Sequence, residues 1–126
     1  MKSIEVLLFT TMACGLTALA APGGAPSTDP AVVNAKTAHV KFENDRVRVL
    51  EAVLQPGDKE QLHTHPAYVI YVLEGGKMRN HAADGTTSET EFVAGQTIFR
   101  EPLTHWAENI GTTTVRVLLV ELKSPR

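Results

Sequence analysis

"LHTHPAYVIYVLEGG", residues 62–76, sets two histidines one residue apart in front of an apolar run that closes on Gly75-Gly76. In an extended chain, residues i and i+2 share a face and lie roughly 6.6–6.8 Å apart. His63 and His65 can then lean toward one ion, each reaching a metal–nitrogen distance of about 2.0–2.1 Å. The plainer reading of the same residues is a polar strand whose rings are satisfied by backbone or water. The rest of the chain has to decide between them.

Outward from this stretch the sequence reads as short strands between turns. "HVKF" (39–42) and "RVRVLEAVL" (46–54) are β-branched and partly alternating, and "QPGD" (55–58) is a turn. Beyond Gly76, "KMRNHA" (77–82) leads to Asp84-Gly85, a strong hairpin signal, and then to "TSETEF" (87–92). A turn at Ala94-Gly95, "QTIFRE" (96–101), a break at Pro102, "THWAEN" (104–109), a turn at Asn109–Gly111 and "TTTVRVLLVELK" (112–123) complete it. No segment carries convincing helical periodicity. Turn signals every 8–12 residues or so predict an all-β sandwich or small barrel.

The ends differ from this body. Lys2, the mostly apolar run Val6–Ala20 and small residues at Ala18 and Ala20 follow the layout of a secretory signal peptide cleaved between Ala20 and Ala21. The run is about 15 residues, short of the roughly 18–20 that span a bilayer, so no stable membrane span is expected. Cys14, the single cysteine, would leave with the leader. The mature chain would then have neither disulfides nor a catalytic thiol. "APGGAPSTDPA" (21–31) is rich in Pro, Gly and small residues and reads as a flexible tether. The expected organisation is a signal peptide at 1–20, a linker at 21–35 and one folded domain at 36–123, exported to the periplasm or beyond. A net charge of −2 offers no basic patch, and nothing points to nucleic acid.

Five histidines lie in the body: His39, His63, His65, His81 and His105. His105, in "EPLTHWAEN" (101–109), stands some forty residues beyond His65, where a third imidazole can close a site from another strand. "PGDKEQLHTHPAYVIYVLEGG" followed by "AGQTIFREPLTHWAEN" resembles the two motifs of the cupin family. Gly57, His63, His65 and Gly75 or Gly76 match the first, and Gly95, Pro102, His105 and Asn109 match the second. The resemblance covers nearly the whole body. It implies a double-stranded β-helix, the jelly-roll barrel of RmlC-like proteins, with a divalent metal (Fe, Mn, Zn or Ni) in its mouth and a small-molecule ligand. Homodimers are common among cupins.

Two departures stand out. The family's carboxylate ligand would fall at Tyr68 or Val69, neither of which can bind as a glutamate would, and the second motif lacks its usual Gly and is one residue short. Three neutral imidazoles leave the full charge of a divalent ion on the site, making it a stronger Lewis acid than one with a carboxylate ligand. Tyr68 can face the metal or pack in the barrel. Arg79 can pair with an anionic substrate or lie exposed on its strand. Glu101 or Glu108 can orient a ligand histidine or be a solvated surface acid. Trp106 can flank a substrate or pack at the rim. These readings support an exported three-histidine metalloprotein, either an oxygenase-type enzyme or a non-catalytic binding module.

Overall fold

The computed structural model describes residues 25–125. The leader, Cys14 and residues 21–24 of the tether lie outside the described residues. A one-turn helix, α1 (Pro30–Val33), precedes nine strands: β1 (Ala38–Glu43), β2 (Val47–Leu54), β3 (His63–His65), β4 (Tyr68–Glu74), β5 (Gly76–Ala82), β6 (Thr87–Phe92), β7 (Thr97–Arg100), β8 (Leu103–Asn109) and β9 (Val115–Leu122). They form two antiparallel sheets, one ordered β1-β2-β9-β4-β7 and the other β3-β8-β5-β6. The architecture is all-β, as the turn spacing predicted, and is the double-stranded β-helix that the motif resemblance implied. No described helix is long and apolar enough to cross a membrane.

Strand alternation sorts the side chains. In β9, Val115, Val117, Leu119 and Glu121 are buried while the residues between them are less so. Cross-strand pairing carries that pattern over the five-stranded sheet. One inward row runs Leu50–Leu119–Ile70–Ile98 and is wholly apolar. Two residues along each strand, the next inward row is polar: Arg48–Glu121–Tyr68–Arg100. The inner face is thus stratified, aliphatic in the middle and ionisable at one end. Directly paired residues share a face and touch, so each row behaves as a unit.

The outer face has its own pattern. A register shift in β1 between Val40 and Phe42 turns Phe42 outward, opposite Val49. Phe42, Val49, Val120, Val69 and Phe99 then line up across all five strands, with both phenylalanines 54% exposed. The Gly75-Gly76 turn is required by crowding. A side chain at 75 would strike the Phe92 carbonyl, and one at 76 would meet Thr113 and Val115. At Gly85 and Gly95 the reason is conformational, since φ is +89° and +86° there.

The flexible tether expected through residue 31, and the linker expected through 35, end earlier than composition indicated. Asp29 caps α1 by accepting from the Ala31 N–H at 2.8 Å, and Pro30 is buried at the first helical turn. The Asp29 carboxylate also meets Arg48 at 2.7 Å, and the Thr28 carbonyl accepts from Thr64 N on the edge of β3. Asp-Pro is itself a helix-start signal, and three polar anchors offset the ordering of a segment with little apolar surface.

Candidate metal centre

His63 and His65 occupy the two inward positions of the three-residue strand β3, and His105 lies directly across from His63 on β8. The third imidazole therefore comes from the nearest cross-strand neighbour. The three side chains are 1%, 2% and 7% exposed, and their ligating nitrogens all lie within 4.8 Å of one another. Ring centroids are 4.7 Å apart for His63–His65, 4.6 Å for His63–His105 and 5.5 Å for His65–His105.

Each ring is held through Nδ1. His63 Nδ1 lies 2.7 Å from the Gln61 carbonyl, His65 Nδ1 lies 2.7 Å from Glu121 Oε1, and His105 Nδ1 lies 2.8 Å from Asn80 Oδ1. These three partners are acceptors, which favours a proton on each Nδ1. At His63 the Asn34 NH2 also lies 3.0 Å from Nδ1 but has the Gln61 carbonyl as its own acceptor, and the shorter 2.7 Å contact is the one to that carbonyl. Every Nε2 is left as a lone pair facing the cluster. His105 Nε2 is a buried polar atom with no hydrogen-bond partner. A buried acceptor left unsatisfied is costly unless something fills it. Three imidazole lone pairs converging on one point are a donor set that fits a divalent ion, with coordination positions left open.

Burial lowers the His63 imidazole to about 4 and the His105 imidazole to about 3, so both stay neutral and able to ligate far below ordinary histidine pH. Behind the rings runs a chain of charge. Glu121 accepts from His65 and also from Arg48 Nε at 2.8 Å, and Arg48 reaches on to Asp29. Burial opposes ionisation of Glu121, but the bonds from His65 and Arg48 outweigh it and hold its carboxyl below the usual range. Asn34, from the segment after α1, clasps Gln61 through both its N–H (2.6 Å) and its carbonyl (3.2 Å), beside His63 Nδ1.

A cavity of about 60 Å³ opens beside the cluster. Glu60, His65, Tyr68, Asn80, Arg100 and His105 form its polar side, and aliphatic residues such as Ile70 and Leu119 form the rest. The Tyr68 ring packs 4.5 Å from His65, and burial pushes its phenol up to about 12, so it stays neutral. Glu60 lies with Oε2 3.8 Å from His63 Nε2 and 3.2 Å from the Ala107 N–H, and burial pushes its carboxyl up to about 7.

Of the residues considered from sequence, His63, His65, His105 and Tyr68 come together here. The others do not. Arg79 lies on β5 paired with Glu89 (2.9 Å) and Glu108 (3.2 Å), away from the cavity. Strand alternation turns Trp106 to the outer face, where it stacks on His81 at 3.6 Å. Glu108 bonds His81, which is not a ligand, and Glu101 is exposed. The acid that orients a histidine of the cluster is Glu121, and the cation in the cavity is Arg100. Both could have been found from parity, since Glu121 holds an inward position in "VRVLLVEL" (115–122).

No family model matches the chain, and no curated protein matches it by sequence. Its fold does match solved structures. It is similar to a cupin domain from Bordetella pertussis Tohama I, with 25% identity, 69% of this chain and 92% of that one covered, and a TM-score of 0.64. It is similar to an uncharacterized conserved protein with a double-stranded β-helix domain from Klebsiella pneumoniae (23% identity, 68% and 74% covered, TM-score 0.57). An RmlC-like cupin family protein from Methanocaldococcus jannaschii is similar at 17% identity, with 71% and 84% covered and a TM-score of 0.56.

Proposed function

We propose that this chain, which by its fold belongs to the cupin superfamily, binds a divalent metal ion through His63, His65 and His105 and acts on a small molecule held in the adjoining cavity. The observation that carries the reading is the convergence of three buried imidazoles whose Nδ1 atoms each face an acceptor, Gln61, Glu121 or Asn80, an arrangement that favours Nε2 as the free lone pair on each ring. When bound, iron, manganese, zinc or nickel would supply Lewis acidity and, for a redox-active ion, oxygenase-type chemistry. The chain's own residues bind, orient and exclude water. Tyr68 stands where a carboxylate ligand would otherwise be, and its neutral phenol can donate a hydrogen bond to a bound molecule. The aliphatic wall offers an apolar surface to part of such a molecule.

A binding module without turnover is the second reading, favoured by the small volume of the cavity. Export belongs to the proposal through the leader at residues 1–20, and a mature chain beginning near Ala21 in mass spectra of the native-host protein tests it. Pairing into a homodimer through the apolar outer row is proposed as well.

The metal reading predicts near-stoichiometric divalent metal in the purified protein, lost in His63→Ala and in His105→Ala. Metal kept at the native level in both variants overturns the assignment. An ion present at about a hundredfold its Kd adds about 2.7 kcal/mol to stability, so chelation lowers the melting temperature.

A further inference from the structure

The cavity contains a cation, Arg100, that no carboxylate among the described residues pairs with. Arg100 pairs in register with inward-facing Tyr68, which places it on the inner face at the polar end of the sheet, and it lines the cavity with His65 and His105. Arg48, Arg79 and Arg116 each meet a carboxylate within 3.3 Å. Among the described residues Arg100 has no carboxylate within 4 Å and no side-chain hydrogen bond. Glu60, the acid on the same cavity wall, is engaged by the Ala107 N–H and lies beside His63. A half-buried guanidinium without a counter-ion is unfavourable unless a ligand supplies one.

The opposite side of the cavity is of another kind. Below the polar row Arg48–Glu121–Tyr68–Arg100 the cavity is walled by Ile70 and Leu119 of the aliphatic row, with Met78 and Phe92 facing them from the second sheet. One end therefore asks for negative charge and the other for hydrocarbon. The cavity is small, about 60 Å³, which limits the ligand to a short tail beyond its head group. A metal on three neutral imidazoles would add positive charge that no carboxylate ligand offsets, favouring the same sign of ligand.

We infer that the cavity takes a small monocarboxylate with a short apolar tail, its carboxylate gripped by Arg100 and its tail laid on Ile70 and Leu119. The inference takes the ligand site from the metal reading and adds the class of molecule. The planar fork of arginine suits a carboxylate bidentately, and a charge-assisted bond of that kind is worth about tenfold or more in affinity.

The test uses butanoate and its neutral isostere butanamide, titrated by NMR into the metal-free and the zinc-loaded full chain. Butanoate is expected to bind at least about tenfold more tightly than butanamide. Arg100→Gln should remove that preference while leaving zinc affinity within threefold (~3) of native, and Arg100→Lys should keep part of it. Equal binding of acid and amide to the native protein overturns the inference, as does undiminished butanoate binding by Arg100→Gln. The native acid-to-amide comparison stands even if that variant does not fold. Zinc binding without saturable butanoate binding refutes the inference and leaves the metal reading intact. Arg100-dependent butanoate binding in a protein that takes none of iron, manganese, zinc or nickel supports it and refutes the metal reading.

Discussion

Replacing Glu121 by Gln changes no volume and removes one charge, yet it should reach the metal-facing nitrogen of His65 by way of a proton. The carboxylate accepts from His65 Nδ1 at 2.7 Å and from Arg48 Nε at 2.8 Å, and its side chain is 3% exposed. A Gln amide offers one acceptor and one donor to these two donors. With its oxygen toward the guanidinium, its NH2 faces His65 Nδ1, which must then give up its proton to become an acceptor. The proton moves to Nε2 and caps the lone pair that would ligate. With the amide the other way round, two donors collide at Arg48. Either arrangement loses a charge-assisted bond worth about 1.5–3 kcal/mol. Arg48 keeps Asp29 as a partner, so the stability cost stays near 2 kcal/mol, below the ~3–5 typical of breaking an isolated buried pair. Loss of a group that orients a metal-ligating histidine costs roughly 10–100-fold in metal affinity. Zinc competition against a chromophoric chelator reads the second effect, and urea unfolding of the metal-free protein reads the first. Zinc affinity within threefold (~3) of native in a folded Glu121→Gln protein would refute the idea that Glu121 sets the tautomer.

The other predictions concern the docked N-terminal turn, acid stability and the outer face. Asn34→Ala leaves Gln61 N–H without its 2.6 Å acceptor and loosens His63, so zinc affinity should fall about tenfold and stability by about 1–3 kcal/mol; no change in either would make the turn a bystander. The metal-free protein should be most stable near pH 6.5–7 and weaken toward acid. Burial holds His63 and His105 neutral while their unfolded counterparts take up two protons below 6.5, and the raised Glu60 returns one of these to the folded state. The net single proton gives a slope of about 1.4 kcal/mol per pH unit between roughly pH 6.5 and 4.5, steepening below as unfolded carboxylates also protonate. Urea midpoints that stay flat from pH 6.5 to 4.5 would contradict these environments. Phe99→Glu places a charge in the outer apolar row and should convert a dimer to monomer by light scattering, and an unaltered mass would exclude this face as the contact.

The fold was legible because the turns are chemically explicit: Pro56-Gly57, Asp84-Gly85 and Ala94-Gly95 cut the chain into strands, with φ near +87°, +89° and +86° at the three glycines. The ligands were legible because His-x-His fixes two imidazoles on one face whatever the fold. What supports them was not. Asn34 and Glu121 lie 29 and 56 residues from the histidines they serve, and only pairing register brings them there. Arg79 and Arg100 look alike in sequence, since each lies in a strand near a motif. Their difference is one of parity, because Arg100 pairs with inward Tyr68 whereas Arg79 falls on the outer side with Glu108. The docked turn at Asp29–Asn34 was hidden by composition, which reports what a segment lacks in apolar surface and says little of its polar anchors.

The spread of these supporting groups has a consequence for how an ion would enter the proposed site. Gln61 and Asn34 steady one ring, Asn80 a second across 25 residues, and Glu121 a third across 56. No short peptide around His63 and His65 contains the site, and a growing chain holds two of its ligands long before it holds the group that sets the proton on His65. If the site binds a metal, ion choice would be made by the closed barrel and not by whichever cation first meets the unfolded chain. If the leader at residues 1–20 exports the chain before it folds, the compartment where the sheets pair would be the one whose metals the site samples.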